Sequence, residues 1–424
     1  MEYLPRVVDS ILATRLKYKG AIVIEGPKWC GKTWTARKQS KSELDLADNQ
    51  ILDEAKDIIH LNGKLLLQGD TPRLIDEWQE IPRIWDLVRN EVDKRGSFGQ
   101  FILTGSAVTD KEKKEEIHHS GTGRFSRITM RTMSLWESKD STGEISLGSL
   151  FQGKEEQHGI NNKSLDEICF LIARGGWPMS VFLPAEGALF QAVDYYEAVI
   201  HYDVSRVDGH RRSPIFANQL MRVYARHIGY SSPITTIRED MADSDKKPDV
   251  ETINSYLTAF KEIFMIEEMP AWNPNIRSKT AIRTSATRYF TDPSIGCAAL
   301  GIGPQDLLRD LKMLGMMFEN LCIRDLRIYS QKLEGHVYHY RDSAGLECDA
   351  VIHLRNGQYA LIEIKLGGDS QIEHACLTLK KLASKIDEEK MGLPSLLMVI
   401  TAVGNYAYKR KDNVWIVPIG TLKD

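Results

Sequence analysis

The stretch AIVIEGPKWCGKTWTARK, residues 21–38, decides the fold of the N-terminal part of this chain. An apolar run comes first, then a full match to the pattern GxxxxGK[ST], and then residues compatible with a helix. The residues of the pattern are Gly26, Pro27, Lys28, Trp29, Cys30, Gly31, Lys32 and Thr33. Glycines let backbone N–H groups wrap around phosphate oxygens, and the start of the following helix adds positive dipole. The stretch therefore predicts a P-loop with all eight residues around a bound nucleotide.

Two side chains of the loop have chemistry of their own. We expect Lys32 to reach the β- and γ-phosphates of ATP and the Thr33 hydroxyl to ligate Mg²⁺. Only backbone donors are needed at Trp29 and Cys30, so these unusual residues leave the phosphate cradle intact. Trp29 is then available to pack near the nucleotide base or against a neighbour.

Two further apolar segments end in polar residues. PRLIDEW, residues 72–78, ends a strand with Asp76, which fits a residue that holds Mg²⁺, and Glu77, which fits the group that activates the attacking water. FILTGS, residues 101–106, ends in hydroxyls, and Thr104 is placed to contact the γ-phosphate or the water. Each segment could instead be a plain strand that ends in a polar turn. The upstream P-loop favours the catalytic interpretation for Asp76 and Glu77.

Three arginines follow in GRFSRITMR, residues 123–131. Arg124, and next to it Arg127, could act as an arginine finger that reaches the nucleotide of a neighbouring subunit. Together with Arg131 they could equally form a solvated basic edge. The finger interpretation predicts a homo-oligomer.

The strings VIEGPKWCGKT, RLIDEWQEIP, FILTGSA and GRFSRITMRTMSLWE resemble the AAA+-type ATPase family that is widespread in bacteria and archaea. That family usually carries a C-terminal domain of uncharacterised function. The resemblance implies an α/β protein: an AAA+-type parallel-sheet P-loop domain, a helical and winged-helix-like segment, and a C-terminal restriction-endonuclease-like α/β domain. It implies ATP and Mg²⁺ as cofactors.

Composition sets limits on the class of protein. The 424 residues are 42% hydrophobic and 27% charged, as in ordinary globular proteins, with a net charge of −3. Any contact with nucleic acid must therefore come from a local basic face. No apolar run is long enough to cross a bilayer, and the first twenty residues lack the features of a signal peptide. The six cysteines are scattered singly, as expected of reduced thiols. We expect a cytoplasmic protein with no membrane partner.

The pattern of apolar segments predicts three domains. A P-loop domain covers residues 1–140, a helical lid with a winged-helix-like part covers 164–300, and a nuclease-like domain covers 308–424. Between the first two, residues 138–163 are rich in Gly, Ser and charge, which is typical of a linker or a long surface loop.

The middle domain contains a helix-turn-helix pattern followed by two short strands. The second helix has an apolar stripe of Val250, Ile253, Leu257 and Phe260 at helical spacing. The strands carry a set of cations that could contact a DNA backbone: Arg277, Lys279, Arg283 and Arg288. The alternative is a winged helix that packs against the ATPase domain, and acids near the second helix favour this alternative slightly.

Four positions in the last third form a possible metal site. Asp349 lies on one predicted strand, and Glu363 and Lys365 share a face of the next, so a hairpin would bring them together. This pattern resembles the D…ExK signature of restriction-endonuclease-like nucleases. Glu319 matches the additional acid on a preceding helix in that superfamily. Glu319, Asp349 and Glu363 would hold Mg²⁺ and Lys365 would orient water, although alternating charges on a half-exposed strand are also common without a site.

Three functions remain open on the sequence alone. The first is an ATPase whose nucleotide state drives or gates the C-terminal domains. The second is an ATP-regulated, metal-dependent DNA endonuclease. The third is a non-catalytic scaffold that senses nucleotide and binds partners through the winged helix.

Overall fold

The computed structural model of the protein describes residues 2–105, 117–154, 156–206, 211–241, 247–274 and 285–424. The chain forms two compact units. Unit 1 contains residues 1–132, 198–213 and 258–264, and unit 2 contains residues 133–197, 214–257 and 265–424. The division into three domains stays a prediction. Within the described ranges, no helix is both long enough and apolar enough to span a membrane.

Unit 1 is built on a five-stranded parallel sheet, as the alternating pattern predicts. The strands are β1 Ala21–Glu25, β2 Ser42–Asp45, β3 Arg73–Asp76, β4 Phe101–Gly105 and β5 Phe125–Thr129. Their spatial order is β2-β3-β4-β1-β5. All five residues of β4 are buried, because helices cover both faces of a parallel sheet. Strand β4 lies between β1, which leads into the P-loop, and β3, which ends at Asp76.

In the described part of unit 1, four α-helices accompany this sheet: α1 Val7–Leu16, α2 Lys32–Arg37, α3 Asn49–Asn62 and α4 Ile84–Arg95. Helix α3 begins where the Asp48 carboxylate accepts a hydrogen bond from the backbone N–H of Gln50 (2.8 Å). Helices α3 and α4 bury apolar side chains such as Ile59 and Trp85 in one core with the strand residues Val23 and Leu103. The carboxyl ends of β1, β3 and β4 are thereby held at one edge of the sheet.

The two later segments of unit 1, residues 198–213 and 258–264, are short. The first contains a π-helical turn, Val199–Asp203, and a 3₁₀ turn, Val204–Arg206. The buried residues of these two turns include Val199, Ile200 and Val204. π-helical turns occur often at functional sites.

Unit 2 contains most of the helices. They are α5 Leu147–Phe151, α6 Leu165–Arg174, α7 Pro178–Val181, α8 Ala185–Ala198, α9 Pro214–Ala225, α10 Ile234–Asp240, α11 Val250–Glu262, α12 Pro293–Leu300, α13 Pro304–Arg309, α14 Leu311–Lys332, α15 Asp369–Lys385 and α16 Glu388–Met391. The last residue of α8 and the last five of α11 belong to unit 1. The predicted apolar stripe of α11 is buried at Ile253, Leu257 and Phe260 and half-buried at Val250.

A mixed seven-stranded sheet forms the C-terminal part of unit 2. Its order is β7-β12-β13-β11-β10-β9-β8. The strands are β7 Gly159–Ile160, β8 Gly335–Arg341, β9 Glu347–Leu354, β10 Tyr359–Lys365, β11 Leu396–Thr401, β12 Tyr406–Lys409 and β13 Val414–Pro418. Strands β8, β9 and β10 form an antiparallel meander, and β10 continues through α15 into the parallel strand β11. Leu379 and Leu382 of α15 pack on Leu361 and Val399.

The prediction of a linker at residues 138–163 is wrong. This stretch contributes β6 Ile145–Ser146, which pairs with β14 Leu422–Lys423, and β7, which pairs with β12. Ile145, Leu147, Leu150 and Phe151 are buried. The stretch looked like a linker because its partner strands lie more than 240 residues away in sequence, so only tertiary pairing reveals its structure.

Candidate functional site

The P-loop connects β1 to α2 with the shape that the motif predicts. Gly26 adopts φ +158° and lies so close to the chain after β5 that a Cβ atom would be 2.0 Å from the carbonyl oxygen of Met130. Gly31 adopts φ +101° immediately before α2, in the region that favours glycine. The buried Lys32 ammonium donates to the carbonyl oxygens of Gly26 (3.0 Å) and Pro27 (2.8 Å). Its charge therefore lies inside the loop, where phosphates would bind.

Asp76 is the centre of a hydrogen-bonded group at the same edge of the sheet. Its carboxylate accepts hydrogen bonds from the Thr33 hydroxyl of the P-loop (3.0 Å) and from the Thr104 hydroxyl of β4. Burial raises the pKa of Asp76, and the two hydroxyl hydrogen bonds oppose that rise. The structure thus brings together three residues that the sequence predicted separately. Ser106, the second predicted hydroxyl of that segment, lies outside the described residues.

Glu77 follows directly in a left-handed backbone conformation, φ +52°. Its carboxylate accepts a hydrogen bond from the side-chain amide of the buried Gln79. Burial raises the pKa of Glu77, while the Gln79 hydrogen bond and the charge of Lys32 lower it. A carboxyl whose pKa is raised above its usual value suits a general base. Gln79 was missed at the sequence level, although its position two residues after Glu77 was a local signal.

The donor set around Asp76 fits Mg²⁺, a cation that prefers oxygen ligands. Among the described residues, one group of three acids has ligand atoms within 4.8 Å of one another, and it consists of Glu43, Asp45 and Asp76. Arg37 binds the first two of these acids, with its Nε 2.7 Å from Glu43 and its Nη2 3.0 Å from Asp45. The arginine occupies these two carboxylates, so Asp76 and Thr33 remain the residues that would hold Mg²⁺ beside the phosphates.

The outer part of the P-loop has two notable side chains. Trp29 is 61% exposed and adopts φ +65°. The Lys28 ammonium is 2.7 Å from the carboxylate of Asp203, which belongs to the π-helical turn of the same unit. No sequence motif pointed to Asp203, because the pair joins residues 175 positions apart.

The predicted C-terminal residues also meet. Strands β9 and β10 form the expected hairpin, with Ala350 opposite Ile362. Asp349 accepts hydrogen bonds from the backbone N–H of Ile364 (2.7 Å) and from the Lys365 ammonium (2.9 Å). The same ammonium lies 2.7 Å from Glu363.

The pKa values of Glu363 and Lys365 are shifted by different causes. Burial raises the pKa of Glu363, and the nearby Asp349 charge raises it further. Burial alone would lower the pKa of Lys365, but the charges of Asp349 and Glu363 outweigh it and raise that pKa. Lys365 therefore stays cationic and would act by charge and hydrogen bonding, not as a base.

Glu319, on α14, completes the cluster at a greater distance. Its carboxylate accepts a hydrogen bond from the buried Tyr289 hydroxyl (2.6 Å) and lies against Gly229. Its charge contributes to the raised pKa of Glu363. Among the described residues, Glu319, Asp349 and Glu363 do not form a group with ligand atoms within 4.8 Å of one another. The reason is that Tyr289 holds Glu319 while Lys365 lies between the other two acids.

Comparison with known proteins places these sites in context. Residues 18–139 match the AAA domain family. Residues 165–306 match a domain of unknown function (DUF8612), and residues 314–422 match another (DUF4143). Among solved structures, a Walker-type ATPase of Pyrococcus abyssi is similar at 13% identity and a TM-score of 0.43, over 70% of this chain and 96% of that one. No curated protein matches the sequence.

The AAA domain match and the parallel sheet of unit 1 together support a P-loop ATPase. The match includes the loop, β3, β4 and β5, and thus every residue of the N-terminal site described above except Asp203.

Arg124 and Arg127 lie on β5 or next to it. Arg124 precedes the strand, at the end of the sheet opposite the P-loop, and pairs with Asp93 at 2.8 Å. It therefore cannot reach the P-loop of its own chain, and a role in a neighbouring subunit stays a prediction. Arg127 pairs with Glu25 and stacks over the Trp85 ring.

The cations of the predicted wing are only partly described. Arg277, Lys279 and Arg283 lie outside the described residues. Arg288, predicted to contact DNA, is buried and donates to the carbonyl oxygen of Ser232. That part of the prediction is wrong, because a guanidinium enclosed in the protein cannot reach a phosphate.

Proposed function

We propose that this protein binds ATP with Mg²⁺ at residues 26–33 and hydrolyses it with Asp76, Glu77 and Thr104. The observation that carries the proposal is the hydrogen-bonded group Thr33–Asp76–Thr104, which stands beside the buried Lys32. A motif that merely resembled a P-loop would not require the end of another strand to supply a partner for its threonine.

Each residue has a role that follows from its position. The backbone of the loop and Lys32 bind the phosphates, and Thr33 and Asp76 would hold Mg²⁺, which neutralises charge on the phosphates when bound. Glu77 accepts a proton from the attacking water, with its carboxylate oriented by Gln79. Thr104 positions Asp76. Arg124 would complete the site of a neighbouring subunit in a homo-oligomer.

We further propose that the nucleotide state changes unit 2. The chain passes between the units at five points, so unit 1 contains short segments whose two ends continue into unit 2. One of them, residues 198–213, contacts the P-loop through the pair Lys28–Asp203. Phosphates that attract Lys28 would weaken that pair and so alter a segment tied to α8 and α9.

Replacing Glu77 with glutamine tests the hydrolytic step. The amide keeps the size of the side chain but cannot accept the proton of the water, so we expect kcat to fall about a hundredfold or more. ATP affinity should stay within a few-fold, because the phosphate ligands are unchanged. Phosphate release and binding of a fluorescent ATP analogue measure the two quantities. The matched control is Glu54→Gln, which alters an exposed glutamate on α3. Undiminished turnover in Glu77→Gln would exclude Glu77 as the base.

A second function is favoured by the meeting of Asp349, Glu363 and Lys365. We propose that this cluster, with Glu319, is a metal-dependent phosphodiesterase site gated by the ATPase. Carboxylate oxygens are ligands of the type that a divalent cation prefers, and a bound cation would polarise a phosphate. The cation would have to displace the Lys365 ammonium from between Asp349 and Glu363. Lys365 would orient the attacking water. The order of α14 followed by the meander β8–β10 agrees with the nuclease resemblance of the sequence. A winged-helix-like middle part, with α11 exposing Asn254 and Ser255, would present DNA to the cluster.

Plasmid nicking tests this second function. Wild-type protein with Mg²⁺ or Mn²⁺ should convert supercoiled plasmid to the open circle, and Glu363→Gln should reduce the rate about a hundredfold or more, because a metal-binding charge is lost. Glu389→Gln, an exposed glutamate of the same unit, should nick as wild type does. Plasmid nicking by the Lys32→Ala variant tests whether cleavage requires ATP. If wild type leaves the plasmid intact with both metals, with and without ATP, the phosphodiesterase proposal fails while the ATPase proposal stands.

A further inference from the structure

We infer that Arg6 is a positioning residue that holds the phosphate-binding loop in its binding shape from behind, an inference that rests on the proposed ATPase function. The N–H groups of a P-loop point at the phosphates, so its carbonyl groups point away and need donors elsewhere. Lys32 donates to the carbonyl oxygens of Gly26 and Pro27 from inside the loop. Arg6 supplies a donor from the other side, because its Nη1 donates to the carbonyl oxygen of Cys30 at 2.8 Å.

The Arg6 guanidinium also connects the loop to the sheet. Its Nη2 donates to the carbonyl oxygen of Arg131 at 2.8 Å, just past the end of β5. The side chain is 6% exposed. One planar cation therefore bridges two separate backbone segments, with a fork geometry that a lysine cannot reproduce.

The segment that carries Arg6 is itself fixed to α2. The backbone N–H of Arg6 donates to Asp9 (2.8 Å), and the Tyr3 hydroxyl donates to the same carboxylate (2.6 Å). The Tyr3 hydroxyl is also 2.9 Å from the hydroxyl of the buried Thr35, on the helix that the P-loop begins. Residues 3–9 therefore contact the loop and its helix from the side opposite the phosphates.

This arrangement predicts a specific kinetic effect. Without Arg6 the loop would spend a smaller fraction of its time in the binding shape, and apparent affinity falls in proportion to that fraction. Bound ATP would restore the shape, since the phosphates attract the same N–H groups. KM for ATP should therefore rise while kcat at saturating ATP changes little.

The experiment is steady-state ATP hydrolysis by the full chain with Arg6→Gln, Arg6→Lys and the matched control Arg15→Gln. Arg15 lies on α1, the helix that directly follows Arg6, and also donates to a carbonyl, that of Arg127, but away from the P-loop. We expect Arg6→Gln to raise KM about tenfold or more with kcat within about twofold. The KM of Arg6→Lys should lie between those of Arg6→Gln and the wild type. Arg15→Gln should keep the wild-type KM.

A thermal melt of each variant separates positioning from stability. A lower Tm with an unchanged KM in Arg6→Gln would make Arg6 purely structural and overturn the inference, and so would an equal rise of KM in Arg15→Gln. If Arg6→Gln does not fold, Arg6→Lys decides, and a wild-type KM in that variant overturns the inference. Absence of hydrolysis in wild type would instead contradict the ATPase proposal.

Discussion

Lys32→Ala is expected to lower kcat/KM for ATP hydrolysis by about a thousandfold or more. A cation placed on a transferring phosphoryl group is worth about 10³–10⁵ in rate, because charge grows on its oxygens in the transition state. The ammonium of Lys32 is buried and its hydrogen bonds go to the carbonyl oxygens of Gly26 and Pro27. Phosphate release at Mg²⁺–ATP concentrations well below KM measures the effect.

The control for this variant is Lys41→Ala, which removes an exposed ammonium a few residues after α2. It should hydrolyse ATP at the wild-type rate. Both proteins should melt at similar temperatures, so that lost turnover reflects chemistry and not unfolding. If Lys32→Ala still releases phosphate at the wild-type rate, residues 26–33 are not the catalytic P-loop.

Arg324→Met is expected to lower the free energy of unfolding of unit 2 by about 3–5 kcal/mol. Arg324 is fully buried and pairs with Asp292 (3.0 Å) and Asp325 (2.8 Å). Asp292 also accepts from the backbone N–H of Gly176, and Asp325 from that of Leu135. Without the guanidinium, two carboxylates would remain buried with their charges uncompensated. These three charged residues therefore hold α12, α14 and two loop segments together.

Urea denaturation followed by circular dichroism measures this change. Arg309→Met, at the exposed end of α13, should change stability by less than about 0.5 kcal/mol. ATP turnover of the folded variant reports on unit 1 and provides an independent check that the rest of the chain is intact. If Arg324→Met lowers the free energy of unfolding no more than Arg309→Met does, the buried ion pairs of Arg324 add little to stability.

Much of the N-terminal site is predictable because its signals are local. The run of apolar residues before Gly26, the glycines, and the acids after Leu74 and Ile75 each specify conformation or chemistry within a few positions. The parallel sheet follows from alternating strands and helices. Strand order does not follow from such signals. That Thr104 donates to Asp76 depends on β4 lying next to β3, which the packing of whole helices decides.

The C-terminal site shows the same division. The spacing of Glu363 and Lys365 on one strand, and a turn before it, predicted a hairpin that would bring Asp349 to them. The partner of Glu319 was not predictable, because Tyr289 belongs to a different part of the chain. Arg288 was misassigned for a related reason, since the sequence shows a cation but not that the surrounding segments enclose it.

The sequence by itself determined the P-loop, its apolar strand and the residue types that suit phosphate and metal chemistry, since these depend on backbone preferences and side-chain groups within short stretches. Only the tertiary structure decided that residues 138–163 add strands to distant partners, that Asp203 meets Lys28, and that Arg6 supports the loop. The physical reason is that each of these contacts joins segments far apart in the chain. Such contacts stabilise the protein only when the rest of the fold has brought the two segments together.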